Sequence, residues 1–212
     1  VIPARYASSR LPGKPLANIA GLPMVVRTAQ QAAKAAVDSV VVAADNDRVA
    51  DVVRGAGIAV RMTRTDHVSG SDRVMEVVEL FGWSDDDVVI NVQGDEPLVP
   101  PAVINQLSDR MREHADLPMA TLSEPLHSVN ELLDPNVVKV VCNDQGLAML
   151  FSRAPIPYPR DSQGQRVPES AAKHVGIYAF RVRALRRFIA LGASTLEQVE
   201  MLEQMRWLQA GY

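Results

Sequence analysis

Residues 39–62 read "SVVVAADNDRVADVVRGAGIAVRM". "SVVVAA" is an unbroken apolar, β-branched run of the kind that forms a strand buried on both faces. "DNDRVADVVRGAG" opens on the Asp and Asn that cap helices and closes on the glycines that stop them. "IAVRM" is short and apolar again, a second strand. Strand, helix and buried strand in succession are the unit of a parallel sheet, because parallel neighbours need a long crossover.

The same alternation extends both ways from this unit. "VIP" at the start reads as the tail of a strand, and "PMVVRTAQQAAKAA" as a helix with Pro23 in its first turn. "GSDRVMEVVELFG", "DVVINV", "PPAVINQLSDRMREHA" and "LPMATLSEP" read as helix, buried strand, helix and strand. The predicted class is α/β, a Rossmann-like, mostly parallel sheet with helices on both faces. Near residue 125 the character changes. "VVKVVCNDQGLAMLFSR" reads as a hairpin around Asn143 to Gly146, and "APIPYPRDSQGQRVPES" as a mobile Pro-, Gly- and Ser-rich segment. "HVGIYAFR" is a strand, and "RALRRFIAL" and "TLEQVEMLEQMRWLQ" are helices. One domain over 1–212 is expected, with a lobe at about 125–190. The first residue is not Met and the last lies at a helix end, so both termini are expected to be trimmed.

Bulk properties bound the function. A net charge of −3 excludes a general nucleic-acid binder, so any anion must meet a local cationic patch. Cys142 is the one cysteine, expected in the core, and it allows no internal disulfide. No apolar run approaches a membrane span. The expected compartment is the cytoplasm, with no nucleic-acid or membrane partner.

The local cationic patch is the opening loop, "VIPARYASSRLPGKPL". Arg5, Arg10 and Lys14 stand there with Ser8, Ser9 and Gly13, and no acid. The loop follows the first strand, so it belongs at the carboxyl edge, where ligands of open α/β sheets bind. Gly13 lets backbone N–H groups approach an anion. The P-loop pattern fails, because Gly13-Lys14 is followed by Pro15. The dinucleotide fingerprint fails too, because "GAGIAV" offers two glycines before a strand. "DVVINVQGDEPLVP" delivers Gln93, Gly94, Asp95 and Glu96 to the same edge. A lone strand-end carboxylate beside a cationic loop suits a Mg²⁺–nucleotide site, since Mg²⁺ takes one or two carboxylates plus phosphate oxygens.

Together these stretches resemble the sugar-activating nucleotidylyltransferases, and most closely the 3-deoxy-manno-octulosonate (Kdo) cytidylyltransferase family. The matching segments are "IPARYASSRLPGKPL", "MTRTDHVSGSDR", "VINVQGDEP", "PNVVKVV", "FSRAPIPYPRD", "HVGIYAFR" and "LEQVEMLEQMR", which run from residue 1 to about 206. The resemblance implies transfer of a cytidylyl group from CTP to the anomeric 2-hydroxyl of Kdo, with Mg²⁺ as cofactor and a homodimer as the assembly. The product would feed lipopolysaccharide synthesis. Arg5, Lys14 and Asp95 would be catalytic, with Asp95 holding the metal. Arg5, Ser9, Arg10, Lys14, Ser69, Gly70 and Arg73 would bind the nucleotide. Gln93, Arg153, Arg160, His174, Tyr178, Glu203 and Gln204 would bind the sugar. Read without the resemblance, His174 is a strand-edge residue, Tyr178 core, Glu203 a solvated helix face, and Ser69 a helix cap.

The chain departs from the family at Ala179 and Phe180, at the proline-free "LGAST", and in lacking the segment that carries the second metal carboxylate. That ligand is expected beyond Tyr212. Rival readings are a cytidylyltransferase for another sugar acid such as sialic acid, and a nucleotide-binding regulator without turnover. "DDD" at 85–87 mimics the acidic triplet of a glycosyltransferase but precedes its strand, at the wrong edge of the sheet.

Overall fold

The computed structural model describes residues 1–7 and 11–212. In chain order the elements begin β1 (Ile2–Ala4), β2 (Asn18–Ile19), β3 (Leu22–Pro23), α1 (Met24–Ala32), β4 (Val41–Ala44) and α2 (Asp47–Gly55). They continue with β5 (Ala59–Met62), α3 (Gly70–Phe81), β6 (Val88–Asn91), α4 (Pro101–Glu113), β7 (Met119–Pro125) and α5 (Val129–Leu133). The last are β8 (Lys139–Cys142), β9 (Ala148–Ser152), β10 (Ala172–Arg181), α6 (Val182–Leu191), α7 (Thr195–Glu200) and α8 (Met205–Gln209). The chain divides into two compact units, one of Val1–Ala120 with Gly176–Ile189, the other of Thr121–Val175 with Ala190–Tyr212.

In the first unit β1, β4 and β5 run parallel, with Ile2 opposite Val42 and Val42 opposite Val60. Every residue of β4 is buried. Val41 and Ala43 pack on Val77 of α3. Val42 and Ala44 point the other way by strand alternation and are also fully buried, so both faces are covered. The Val1 ammonium donates to Ile90 O at 2.8 Å and Val92 N–H to Val1 O at 3.0 Å, which sets the β6 segment beside β1. The end of β10 pairs antiparallel with β6, Tyr178 opposite Asn91. The α/β architecture is as expected, with this antiparallel member added to the parallel strands.

In the second unit β8 and β9 form the expected hairpin, and the start of β10 pairs antiparallel with β8. Asn143 Oδ1 accepts from the Gln145 and Leu147 amides, and Gly146 takes φ 77°, which explains both turn residues. Val140 and Phe151 meet Leu202 and Met205 in a small core.

Two expectations are corrected here. Cys142 is exposed rather than in the core: it ends β8, where the register shifts before the hairpin turn. The helix expected over 195–209 is two helices. Met201 adopts φ 53° and ends α7, and α8 restarts at Met205.

Candidate active site

The carboxyl ends of β1 and β6 carry the first cluster. Past β1, Gly13 N–H donates to Tyr6 O at 3.0 Å, and Tyr6 N–H to Asp45 Oδ1 at 2.8 Å. Gly13 takes φ 71° against the Tyr6 ring, a conformation that favours glycine. The loop is thereby folded back so that Lys14, in a short 3₁₀ turn, reaches Asp95 and forms an ion pair. Those side chains are 39% and 46% exposed, so the pair faces solvent. Arg5 is exposed. Ser9 and Arg10, both expected at the nucleotide, lie outside the described residues.

Asp95 is aimed by its neighbour. A Cβ on Gly94 would stand 2.5 Å from Pro3 O, so only glycine lets the "QGDEP" backbone press against the end of β1. The hydroxyl of buried Thr28 lies 3.1 Å from Gly94 O, tying the same turn to α1. Gln93 is half-buried and its carbonyl accepts from Glu96 N–H. Burial and the Asp95 charge push the Glu96 carboxyl up, and Lys14 pulls it partly back.

Beneath this cluster lies a second, enclosed one. Arg73 of α3 is 2% exposed and donates to Asp45 Oδ2 at 3.0 Å, to Thr63 Oγ1 at 2.5 Å and to Arg64 O at 3.0 Å. Burial lowers its guanidinium from the ordinary value, Asp45 opposes, and the Arg5 charge adds to the lowering. Asp45 therefore holds the loop amide with one oxygen and α3 with the other. Ser69 caps α3 in a reciprocal box with Asp72. Gly70 packs near Pro3 Cγ, where a Cβ would be 3.7 Å away, an ordinary contact. Ser69 and Gly70 thus stand at the end of β1, whereas Arg73 is turned inward. The Tyr178 ring is half-buried and stacks on Phe180 at 6.0 Å.

A cavity of about 600 Å³ in this unit opens at the other ends of the strands. Val1, Ser39, Val88 and Arg181 line it, far along the strands from Asp95. Lys14 and Asp95 stand instead at the carboxyl edge, the edge at which ligands of this architecture bind.

The second unit holds the remaining residues. His174 Nε2 lies 2.9 Å from Thr121 Oγ1. That hydroxyl donates to Val175 O at 3.2 Å, so the proton shared with the ring sits on Nε2. Burial lowers the His174 imidazole to about 4, so it is neutral near pH 7. Arg160 is exposed, and its backbone carbonyl accepts from Gln163 N–H at 3.1 Å. Arg153 is held by carbonyls: Nε donates to Glu200 O at 2.6 Å, Nη1 to Pro135 O at 2.8 Å and Nη2 to Met201 O at 3.4 Å. Glu203 is half-buried, and Gln204 is 5% exposed.

Sequence reasoning read Asp45 only as a helix cap, a role that Asn46 takes, and did not single out Thr28, Lys139, Glu197, Glu200 or Arg206. Only Asp45 carried a visible signal, as an acid at the end of a buried strand.

The parallel strands, the cationic loop and the strand-end carboxylate define an α/β nucleotidyltransferase. The cytidylyltransferase family model matches residues 1–212, and the chain belongs to that family. It is 47% identical to a 3-deoxy-manno-octulosonate cytidylyltransferase of Serratia proteamaculans, over 100% of this chain and 86% of that protein. It is 49% identical to one of Yersinia pseudotuberculosis serotype O:1b, over 100% and 85%. A solved CMP:2-keto-3-deoxy-manno-octonic acid synthetase complexed with CTP superposes at a TM-score of 0.90 and 45% identity, covering 99% of this chain and 84% of the other. A cytidylyltransferase of Leptospira borgpetersenii shares the fold alone, at a TM-score of 0.62 and 13% identity over 100% and 71%.

Proposed function

We propose that this chain transfers the cytidylyl group of CTP to the anomeric 2-hydroxyl of Kdo, forming CMP-Kdo and pyrophosphate for lipopolysaccharide synthesis. The observation that carries the reading is the meeting of Lys14 and Asp95 at the carboxyl edge, in a chain nearly half identical to named Kdo cytidylyltransferases. The sugar oxygen attacks the α-phosphorus, the bond to the bridging oxygen of the β-phosphate breaks, and the hydroxyl proton leaves. Such transfer rests on positioning and charge stabilisation.

Arg5 and Lys14 grip the triphosphate and stabilise the leaving pyrophosphate, with Arg10 and Ser9 assigned to the same loop. The Lys14–Asp95 pair is solvent-facing, so Lys14 exchanges a carboxylate for phosphate at small cost. Ser69 and Gly70 face the nucleoside, and Arg73 positions them from below. The metal is Mg²⁺, and its binding residue is Asp95. Among the described residues no three His, Cys, Asp or Glu cluster, and a single hard carboxylate fits an ion that fills its shell with phosphate oxygens and water. Bound there, Mg²⁺ would supply charge neutralisation at the phosphates.

On the sugar side, exposed Arg160 takes the Kdo carboxylate. Gln93, His174, Tyr178, Glu203 and Gln204 take hydroxyls. His174 is the neutral ring this role needs, since a neutral imidazole can both donate and accept. Arg153, already held by carbonyls, supports this set. The enzyme works in the cytoplasm, where CTP is made, and as a homodimer whose partner covers apolar side chains such as Val199 and Met149, 82% and 62% exposed. No helix among the described residues is long and apolar enough to cross a membrane.

The test is pyrophosphate release with CTP, Mg²⁺ and either Kdo or sialic acid. The expected result is turnover with Kdo and poor turnover with sialic acid, whose N-acyl tail would leave polar groups unpaired. Equal turnover with both would overturn the substrate, and no turnover with either would overturn the reaction.

A further inference from the structure

The break between α7 and α8 carries Glu203 and Gln204, and charged side chains hold it from both sides. On one side Glu200 Oε1 accepts from the Ser152 hydroxyl at 2.6 Å and Oε2 from the Arg153 amide at 2.9 Å. Its backbone carbonyl takes Arg153 Nε at 2.6 Å. The end of α7 is thus stapled to the end of β9 through one residue. On the other side Arg206 makes a bidentate pair with Glu197, at 2.9 and 2.8 Å, across the break itself. Those side chains are 5% and 14% exposed.

A third element braces the staple. Lys139 is fully buried and its ammonium donates to three carbonyls, Asp134 at 2.8 Å, Val137 at 2.6 Å and Arg153 at 2.6 Å. It fixes the carbonyl of the same residue whose amide Glu200 binds. Burial opposes charge on Glu200, yet the Ser152 hydroxyl, the Arg153 amide and the Arg153 and Lys139 charges hold its carboxyl below the ordinary range.

The staple supports something specific. Met201, directly after Glu200, is one of three non-glycine residues with positive φ among the described residues, a conformation that must be imposed from outside. The turn it makes sends Gln204 inward, where Nε2 is buried with no hydrogen-bond partner among the described residues. An orphaned buried donor costs stability unless a ligand acceptor meets it.

We propose that Glu200 is a positioning residue for sugar-acid recognition: its staple to Ser152 and Arg153 sets the Met201 turn that aims Gln204 at a sugar hydroxyl. This rests on the Kdo cytidylyltransferase reading above. The staple belongs wholly to the second unit, so it acts on the sugar and leaves CTP binding alone.

Three variants test it. Glu200→Ala removes the staple. Glu200→Gln keeps its shape, because the amide oxygen accepts from Arg153 N–H while the amide N–H donates to Ser152 Oγ. Ser152→Ala removes one of the two bonds to the Glu200 carboxylate, together with the bond from the Ala154 amide to the same hydroxyl, and keeps the test open should Glu200→Ala fold poorly. Amide hydrogen exchange without substrate is expected to quicken at Leu202 to Gln204 in Glu200→Ala and to recover in Glu200→Gln. In turnover, kcat/KM for the sugar is expected to fall on the order of a hundredfold in Glu200→Ala, and less in Ser152→Ala. The CTP affinity measured by calorimetry should stay at the wild-type value in all three. Unchanged exchange and sugar KM in Glu200→Ala would overturn the proposal, as would equal losses for sugar and CTP. A wild-type protein inactive with Kdo but with the expected exchange pattern would overturn the function proposed above and leave the staple standing.

Discussion

Lys14 and Asp95 meet with side chains 39% and 46% exposed, whereas Arg73 and Asp45, in the same unit, meet at 2% and 5%. Both are a basic side chain on an aspartate past the carboxyl end of a strand, β4 for Asp45 and β6 for Asp95. Their physics is opposite. A solvent-facing pair contributes about 0–1 kcal/mol, so a ligand can open it. A buried pair broken on one side leaves a stranded charge and costs about 3–5 kcal/mol. Asp45 also holds the Tyr6 amide of the opening loop. The enclosed pair is the foundation, and the open pair is where we propose the ligand binds.

The contrast breaks first if Arg73 is replaced. Arg73→Met is expected to lower stability by about 3–5 kcal/mol, because Asp45 keeps its charge at a buried site. A denaturant titration reads this directly. A loss under 1 kcal/mol with intact CTP turnover would mean that Asp45 finds solvent and that the pair is no foundation.

Asp95→Asn sharpens the other side. It keeps the shape of the "QGDEP" turn and removes the charge. The protein is expected to fold with its melting temperature nearly unchanged, and turnover to fall on the order of a hundredfold or more, as for other preorganised charges at transferring groups. Calorimetry should show Mg²⁺-dependent CTP binding weakened in parallel. Full turnover would assign Asp95 to structure.

Lys14→Ala is smaller still. A charge-assisted bond is worth about 1.5–3 kcal/mol, so a loss of roughly tenfold or more in kcat/KM for CTP is expected. Stability should move by less than about 1 kcal/mol, since the partner is exposed. A large drop in stability with unchanged kinetics would make this pair resemble Arg73–Asp45.

Most of the fold was legible because its signals are local. Continuous apolar runs gave β4 and β6, and an Asn cap with a terminal glycine gave α2. The open pair was legible too, since an acid-free loop and "QGDEP" both had to lie at one sheet edge. The enclosed charges were not legible. Nothing local distinguishes Arg73, which is buried on Asp45 28 positions away, from an arginine on a solvated helix face. Lys139 reads as an exposed strand lysine, and only the return of the chain at Asp134, Val137 and Arg153 encloses it. The α7–α8 break was missed because 195–209 is helical in composition throughout. What ends α7 is the packing of Leu202 and Met205 on Phe151 and the staple at Glu200, both tertiary.

The second unit repeats the contrast between open and enclosed groups in Arg160 and His174, and pH separates them. His174 is enclosed by Thr121, by Phe151 with its ring edge-on at 4.9 Å, and by the Val138 carbonyl that accepts its amide. Burial lowers its imidazole from 6.5 to about 4. The unfolded chain therefore binds a proton at this ring below about pH 6.5 while the folded chain does not, so stability falls as pH falls through that window. The contribution is fully present above the unfolded value and is lost progressively toward pH 4. Between pH 7 and pH 5.5 the loss from this one group is about 1 kcal/mol. His174→Gln keeps an N–H for the Thr121 oxygen and removes the titration. Its denaturation midpoint should fall less than that of the wild type between those two pH values, by the amount this ring contributes. Identical pH slopes for the two proteins would show that the ring takes its proton in place, and that this side of the proposed sugar site is as open as Arg160.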